Sequence, residues 1–164
     1  MALDLLKQQR DGLIFSMYNE VFAAVDLCVL FHFVALGLLD QQFDQLLALQ
    51  DADSPGFIEE VIKLFCQESE RTLGELSKHL SQPVVDYTKI DAYVHQLKGS
   101  SASVGAQLVK LACMNFRQAC EENDKEGCML ALNMINNEYY RIRSKFETMI
   151  QLEQRILAYS TKHQ

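Results

Sequence analysis

The chain has 164 residues, of which 49% are hydrophobic and 23% charged, as is usual for one globular domain. Its formal net charge is −7 and its Lys and Arg residues are scattered, which argues against a nucleic-acid surface because phosphate binding needs a basic stripe. The five cysteines are odd in number and show no CxxC spacing, so we interpret them as reduced intracellular thiols buried in helices.

The N-terminal part predicts a helix over residues 2–20, with Leu3, Leu6 and Leu13 on its apolar side. Residues 21–36 follow, and all of them except one aspartate and one histidine are apolar. Extended to residue 39, this run is just long enough for a membrane helix, but its aspartate is costly in hydrocarbon and no Lys or Arg cluster flanks it. A helix buried in the protein or against a partner is the alternative.

The middle of the chain predicts two helices. The first is short and covers residues 40–49. The second starts at Ser54 and Pro55, because Ser is a favoured N-cap residue and Pro fits the first turn. It runs to about residue 80 and ends at the polar stretch 81–83.

Three further helices complete the predicted fold. Thr88 and Asp91 resemble a capping box that opens a helix ending near Ser103, and Gly105 permits a turn. The next helix covers about 105–122, and the last covers about 125–158. Since no segment predicts a strand, we expect an all-α, mostly antiparallel bundle with short loops.

One face of the helix around residue 95 groups the residues with chemical potential. His95, Lys98 and Gly99 are three or four positions apart, whereas Val94 and Leu97 belong to a core stripe. Imidazole is a nucleophile near neutral pH, and a lysine can stabilise the oxygens of a phosphoryl group. Glycine inside a helix costs about 1 kcal/mol relative to alanine, so its presence indicates close approach of a partner. The face suits a histidine that carries a phosphoryl group.

The twelve residues from His95 to Ala106, His-Gln-Leu-Lys-Gly-Ser-Ser-Ala-Ser-Val-Gly-Ala, closely resemble the signature of plant histidine-containing phosphotransfer (HPt) proteins. These are the shuttle proteins of multistep His-Asp phosphorelays, including cytokinin signalling. The resemblance covers about residues 1–20 and 37–158. It includes residues 39–43, 49–51, 65–71, 116–117, 120–121 and 138–140.

The resemblance implies a four-helix bundle in up-down-up-down order, preceded by one or two N-terminal helices. It implies one HPt domain over residues 1–158, followed by a tail over 159–164. It further implies that His95 accepts a phosphoryl group from the receiver domain of a hybrid sensor kinase and passes it to response regulators. Such a protein is a phosphoryl carrier of the cytoplasm and nucleus rather than a turnover enzyme. It binds no cofactor or metal, and its partner holds the Mg²⁺.

The resemblance also implies roles for individual residues. Lys98 stabilises the phosphoryl group on His95. The residues expected to line the phosphate site are Gln96, Gly99, Ser100 and Gly105. The residues expected to dock the partner are Asp40, Gln41, Phe43 and Leu46.

Residues 21–36 depart from the family pattern as an insertion of about sixteen residues. Three interpretations are open: an artefact of splicing or of the gene model, a helix extension covered by a partner or by a second copy, and a membrane-associating segment. The corresponding alternative function is a helical adaptor that binds receiver domains without transferring phosphate, because the insertion obstructs or anchors it.

Overall fold

The computed structural model describes residues 1–19, 37–50, 54 and 56–162. The insertion at residues 21–36 lies outside these ranges. The described residues form six helices and no strand. Within them, no helix combines the length and the apolar character that crossing a bilayer requires. The helices are α1 (Ala2–Asn19), α2 (Gln41–Leu49), α3 (Phe57–Leu80), α4 (Tyr87–Ser103), α5 (Gln107–Glu121) and α6 (Lys125–Lys162).

Helices α3 to α6 form the four-helix bundle, which confirms the predicted fold class. Apolar residues recur at helical spacing in each helix and meet at one core. Phe65 of α3 packs edge-on against Phe146 of α6, with ring centroids 6.2 Å apart. The buried Tyr139 of α6 donates its hydroxyl to a carboxylate oxygen of Glu70 at 2.9 Å, so its polar end is satisfied.

Helices α1 and α2 pack on the outside of this bundle. Arg10 of α1 pairs with Glu153 of α6, and α1 lies along α6. Phe43 of α2 enters the core, where its ring centroid lies 5.7 Å from that of Phe146. Helix α6 continues to Lys162, so the predicted tail at 159–164 is helical over most of its length.

Two predicted helix starts are wrong in detail. Asp86, not Thr88, caps α4: its carboxylate accepts from the amide of Lys89 at 3.1 Å. At the start of α3 the N-cap residue is Gly56, not Ser54. There the side chain of Gln50 accepts from the amide of Ile58 at 3.2 Å and so satisfies one of the free amides of the first turn.

The turn between α4 and α5 is fixed by Gly105, as the sequence predicts. Its φ of +71° lies in the left-handed region that favours glycine. Its carbonyl accepts from the amide of Asp40 at 2.9 Å, which joins this turn to the start of α2. A Cβ atom at residue 105 would lie 2.7 Å from Oδ1 of Asp40 and 2.8 Å from the amide nitrogen of Phe43. Only glycine therefore fits without a shift of the backbone.

Candidate functional site

Helix α4 has one buried face and one exposed face, as its sequence predicts. Ile90, Val94, Leu97 and Ser101 are each at most 1% exposed, and they anchor α4 in the core. His95 lies on the opposite face and is exposed. The apolar stripe therefore holds the helix as a rigid platform, and the imidazole is presented to solvent.

Helix α5 supplies a direct partner to the histidine. Nη1 of Arg117 lies 2.9 Å from Nδ1 of His95. The same guanidinium binds both carboxylate oxygens of Asp91, from Nε at 2.9 Å and from Nη2 at 3.3 Å. The hydrogen bond to Asp91 raises the pKa of Arg117, so the guanidinium stays charged. His95, Arg117 and Asp91 thus form a connected polar group across α4 and α5.

Lys98 lies one turn after His95 on α4 and is half-buried. Among the described residues it makes no hydrogen bond or ion pair, so its ammonium is available to an anion on the imidazole. Burial raises the pKa of the Cys113 thiol to about 12, and the positive charge of Lys98 partly opposes this rise. The structure therefore places beside the histidine a cation that has no ion-pair partner among the described residues.

Gly99 leaves the helix surface next to these side chains bare. It is exposed, and a Cβ atom built on it would meet nothing within 4 Å. No packing within the described part of the chain therefore requires a glycine here, which is consistent with the predicted close approach of a partner.

The other predicted lining residues have different environments. Gln96 is exposed, and Ser100 is half-buried and donates its hydroxyl to the carbonyl of Leu97 at 3.1 Å. Gly105 is buried against the start of α2, so its observed contacts are those of a packing residue.

The four predicted docking residues are not equally accessible. Gln41 is exposed, and Leu46 is half-buried. Asp40 is half-buried and caps α2, because its Oδ1 accepts from the amide of Gln42 at 2.9 Å. Phe43 is 1% exposed and packed against Phe146, so the structure contradicts the prediction that Phe43 contacts a partner. The ring of Phe43 lies on the side of α2 that faces the core.

Arg117 is the functional candidate that the residue patterns did not single out. It is 22 positions from His95 in the sequence, and the register of α4 against α5 brings the two side chains together. Asp91 was interpreted as a cap, whereas in the structure it holds Arg117. The resemblance to HPt proteins includes residues 116–117, but it assigns no role to the arginine.

Together these groups form a nucleophile with a neighbouring cation and an open approach. Among the described residues, no cluster of three or more His, Cys, Asp or Glu side chains could hold a metal ion. The arrangement can carry a phosphoryl group on an imidazole nitrogen.

Comparison with known proteins points to the same chemistry, a histidine that carries a phosphoryl group. The family model described as "Hpt domain" matches residues 60–152, which cover most of the four-helix bundle. Histidine-containing phosphotransfer protein 2 of rice (Oryza sativa subsp. japonica) is 47% identical over 165 residues, with all of both chains covered.

Two solved structures are also similar along nearly their whole length. A rice histidine-containing phosphotransfer protein has a TM-score of 0.82 at 46% identity, with 96% of this chain and 99% of that one covered. Its maize counterpart has a TM-score of 0.79 at 49% identity, with 92% and 99% covered. With His95 in place on the exposed face of α4, the chain belongs to the Hpt domain family of histidine-containing phosphotransfer proteins.

Proposed function

We propose that the protein carries a phosphoryl group on His95 between receiver domains of a multistep His-Asp phosphorelay, of the cytokinin type. It accepts the group from a hybrid sensor kinase and passes it to response regulators. The observation that carries this proposal is the exposed imidazole of His95 beside Lys98, whose ammonium has no hydrogen bond or ion pair among the described residues, next to a bare helix surface at Gly99. The names of the relatives favour this carrier over an adaptor that does not transfer.

The chain supplies one half of the reacting site, and the receiver supplies the other. The nitrogen of His95 forms a bond to phosphorus while the bond from phosphorus to the receiver's carboxylate oxygen breaks. Lys98 stabilises the charge on the phosphoryl oxygens. We propose that the receiver also holds the Mg²⁺ needed for transfer and that the carrier binds no cofactor. Both exchanges with receivers take place, on this proposal, in the cytoplasm and the nucleus.

The test is phosphotransfer from a receiver domain charged with acetyl phosphate. The full chain should become labelled, and the label should be acid-labile and base-stable, as phosphohistidine is. The variant His95→Gln should remain unlabelled while it keeps its helical content. Labelling of His95→Gln equal to that of the wild type would overturn the assignment.

The insertion provides a second comparison in the same assay. If residues 21–36 obstruct docking, their deletion should speed labelling of the chain. Equal rates for the full chain and the deletion variant would refute obstruction, and receiver binding without transfer by both would favour the adaptor.

A further inference from the structure

The contact between Arg117 and His95 defines which imidazole nitrogen carries hydrogen. An arginine side chain has donors and no acceptor, so Nδ1 of His95 must accept from Nη1 of Arg117. The neutral ring then carries its hydrogen on Nε2. A protonated ring has no lone pair at Nδ1 and cannot make this contact. The observed hydrogen bond is therefore specific for one tautomer of the neutral imidazole.

Asp91 makes Arg117 a directed donor rather than a free cation. Two hydrogen bonds from the guanidinium to the Asp91 carboxylate, at 2.9 and 3.3 Å, fix the plane of the guanidinium. The carboxylate also offsets the positive charge of the arginine. Lys98 has no such counterion among the described residues. Lys98 is therefore the main source of electrostatic attraction for a phosphoryl group, whereas Arg117 acts through its hydrogen bond to His95.

This hydrogen bond is incompatible with nucleophilic attack by Nε2. Attack needs a lone pair at Nε2, so that nitrogen must first lose its proton to water while Nδ1 gains one from water. Nδ1 is then a donor that faces another donor, and the contact with Arg117 must open. Nε2 can then form the bond to phosphorus as the bond to the aspartyl oxygen breaks and the carboxylate leaves. The Nδ1 proton returns to water afterwards.

The same contact can form again after transfer. A neutral ring that carries a phosphoryl group on Nε2 has its lone pair at Nδ1, where Arg117 can donate. Loss of the phosphoryl group is faster when Nδ1 is protonated, because neutral imidazole leaves more readily than imidazolate. Arg117 competes with that proton for the lone pair.

We propose that Arg117, oriented by Asp91, is a latch on His95 that slows both gain and loss of the phosphoryl group until a partner opens the contact. The inference rests on the phosphoryl-carrier function proposed above. Arg117 is a positioning residue in this scheme, because it acts through the imidazole.

The latch can be tested on the full chain without any receiver. Phosphoramidate, a small phosphoryl donor, would phosphorylate His95, and ³¹P NMR would follow the gain and later the hydrolysis of phosphohistidine. Arg117→Met removes the donor and should make both rates roughly five-fold faster, the factor that one ordinary hydrogen bond contributes. Arg141→Met is the matched control, because Arg141 pairs with Glu138 on α6. It should leave both rates unchanged.

Two further variants separate the latch from a charge effect. Arg117→Lys keeps the cation but loses the planar fork that binds Asp91 and His95 together, so it should also be faster than the wild type. Asp91→Asn should fall between the wild type and Arg117→Met. In ¹⁵N spectra, the Nδ1 signal of His95 should shift in Arg117→Met and stay in place in the control.

The opposite result would overturn the latch. If Arg117→Met gains the phosphoryl group more slowly and Arg117→Lys restores the wild-type rate, then Arg117 attracts the phosphoryl group by charge. Unchanged rates would show that the contact has no effect. The carrier function has a separate test, because wild-type chain that reacts with phosphoramidate but not with a charged receiver would refute the relay and leave the latch standing.

Discussion

Arg10 and Glu153 form an ion pair that joins α1 to α6, with Nη1 of Arg10 2.9 Å from Oε1 of Glu153. The Glu153 side chain is 8% exposed. Gln50, just after α2, donates to the other carboxylate oxygen of Glu153 at 3.3 Å. One buried carboxylate therefore holds two peripheral segments against the end of the bundle.

Removal of Arg10 should destabilise the protein, because the buried carboxylate of Glu153 loses its counterion. We expect Arg10→Met to lower the free energy of unfolding by about 2 to 3 kcal/mol, because Gln50 is then the one hydrogen-bond partner of Glu153 left among the described residues. Urea denaturation followed by circular dichroism measures the change. The double variant Arg10→Met, Glu153→Met should recover much of the loss, and an equal loss in both variants would show that the charge is not its cause. Arg71→Met, which breaks an exposed pair with Glu68, is the control and should leave the midpoint unchanged.

Two glycines should respond in opposite ways to alanine. Gly105→Ala should destabilise the protein by about 2 kcal/mol or more, because it combines a positive φ with contacts to the backbone of α2. Gly99→Ala should stabilise it by about 0.5 to 1 kcal/mol, because the helix surface there is open. Thermal unfolding compares the two variants directly. Destabilisation by Gly99→Ala would show that this surface is packed in solution.

Loss of the Lys98 charge should affect transfer and leave the fold intact. We expect Lys98→Met to slow phosphoryl transfer from a receiver by roughly ten-fold, the effect of losing one charge-assisted hydrogen bond. Unfolding by urea should be unchanged, because Lys98 has no ion pair among the described residues. Lys89→Met, an exposed lysine near the start of α4, serves as the matched control. Equal slowing by the two variants would indicate a general effect of net charge.

The buried thiols should make the protein sensitive to alkali. Burial raises the pKa of Cys113 from 9.0 to about 12, and burial also raises the pKa of Cys120 and of Cys128. The unfolded chain loses these protons above pH 9, whereas the folded chain keeps them. The contribution of the thiols to the free energy of unfolding should therefore be fully present below pH 9 and should decrease as the pH rises toward 12. Each thiol adds a slope of about 1.4 kcal/mol per pH unit in this window.

The variant Cys113→Ala isolates one of these slopes. Its free energy of unfolding should depend less steeply on pH between 9 and 12 than that of the wild type, by about one proton. Denaturation midpoints at several pH values give the comparison. Identical slopes would show that Cys113 ionises as readily in the folded protein as in the unfolded chain.

The helices and the core faces could be predicted from the sequence because apolar residues recur at helical spacing. The spacing assigns Val94 and Leu97 to the core of α4, and both are buried. Helix starts were less predictable, since Asp86 and Thr88 are both good capping residues and only three-dimensional geometry selects Asp86.

The sequence predicted only the part of the site that lies on the single helix α4. His95, Lys98 and Gly99 share a face of α4, so their proximity follows from helical geometry. The contact of His95 with Arg117 depends on how α4 and α5 pack, which local spacing does not determine. The burial of Phe43 was missed for the same reason, because α2 meets the bundle through packing.

The bond from the amide of Asp40 to the carbonyl of Gly105 has a consequence for the order of folding. Helices α3 to α6 follow one another along the chain, and the match to the Hpt domain model lies within them. Contacts between neighbouring helices form early because they close short loops. The binding surface for α2 exists only after the turn at Gly105 has formed. We expect α2 to dock last and to detach first, while the helix that bears His95 keeps its fold.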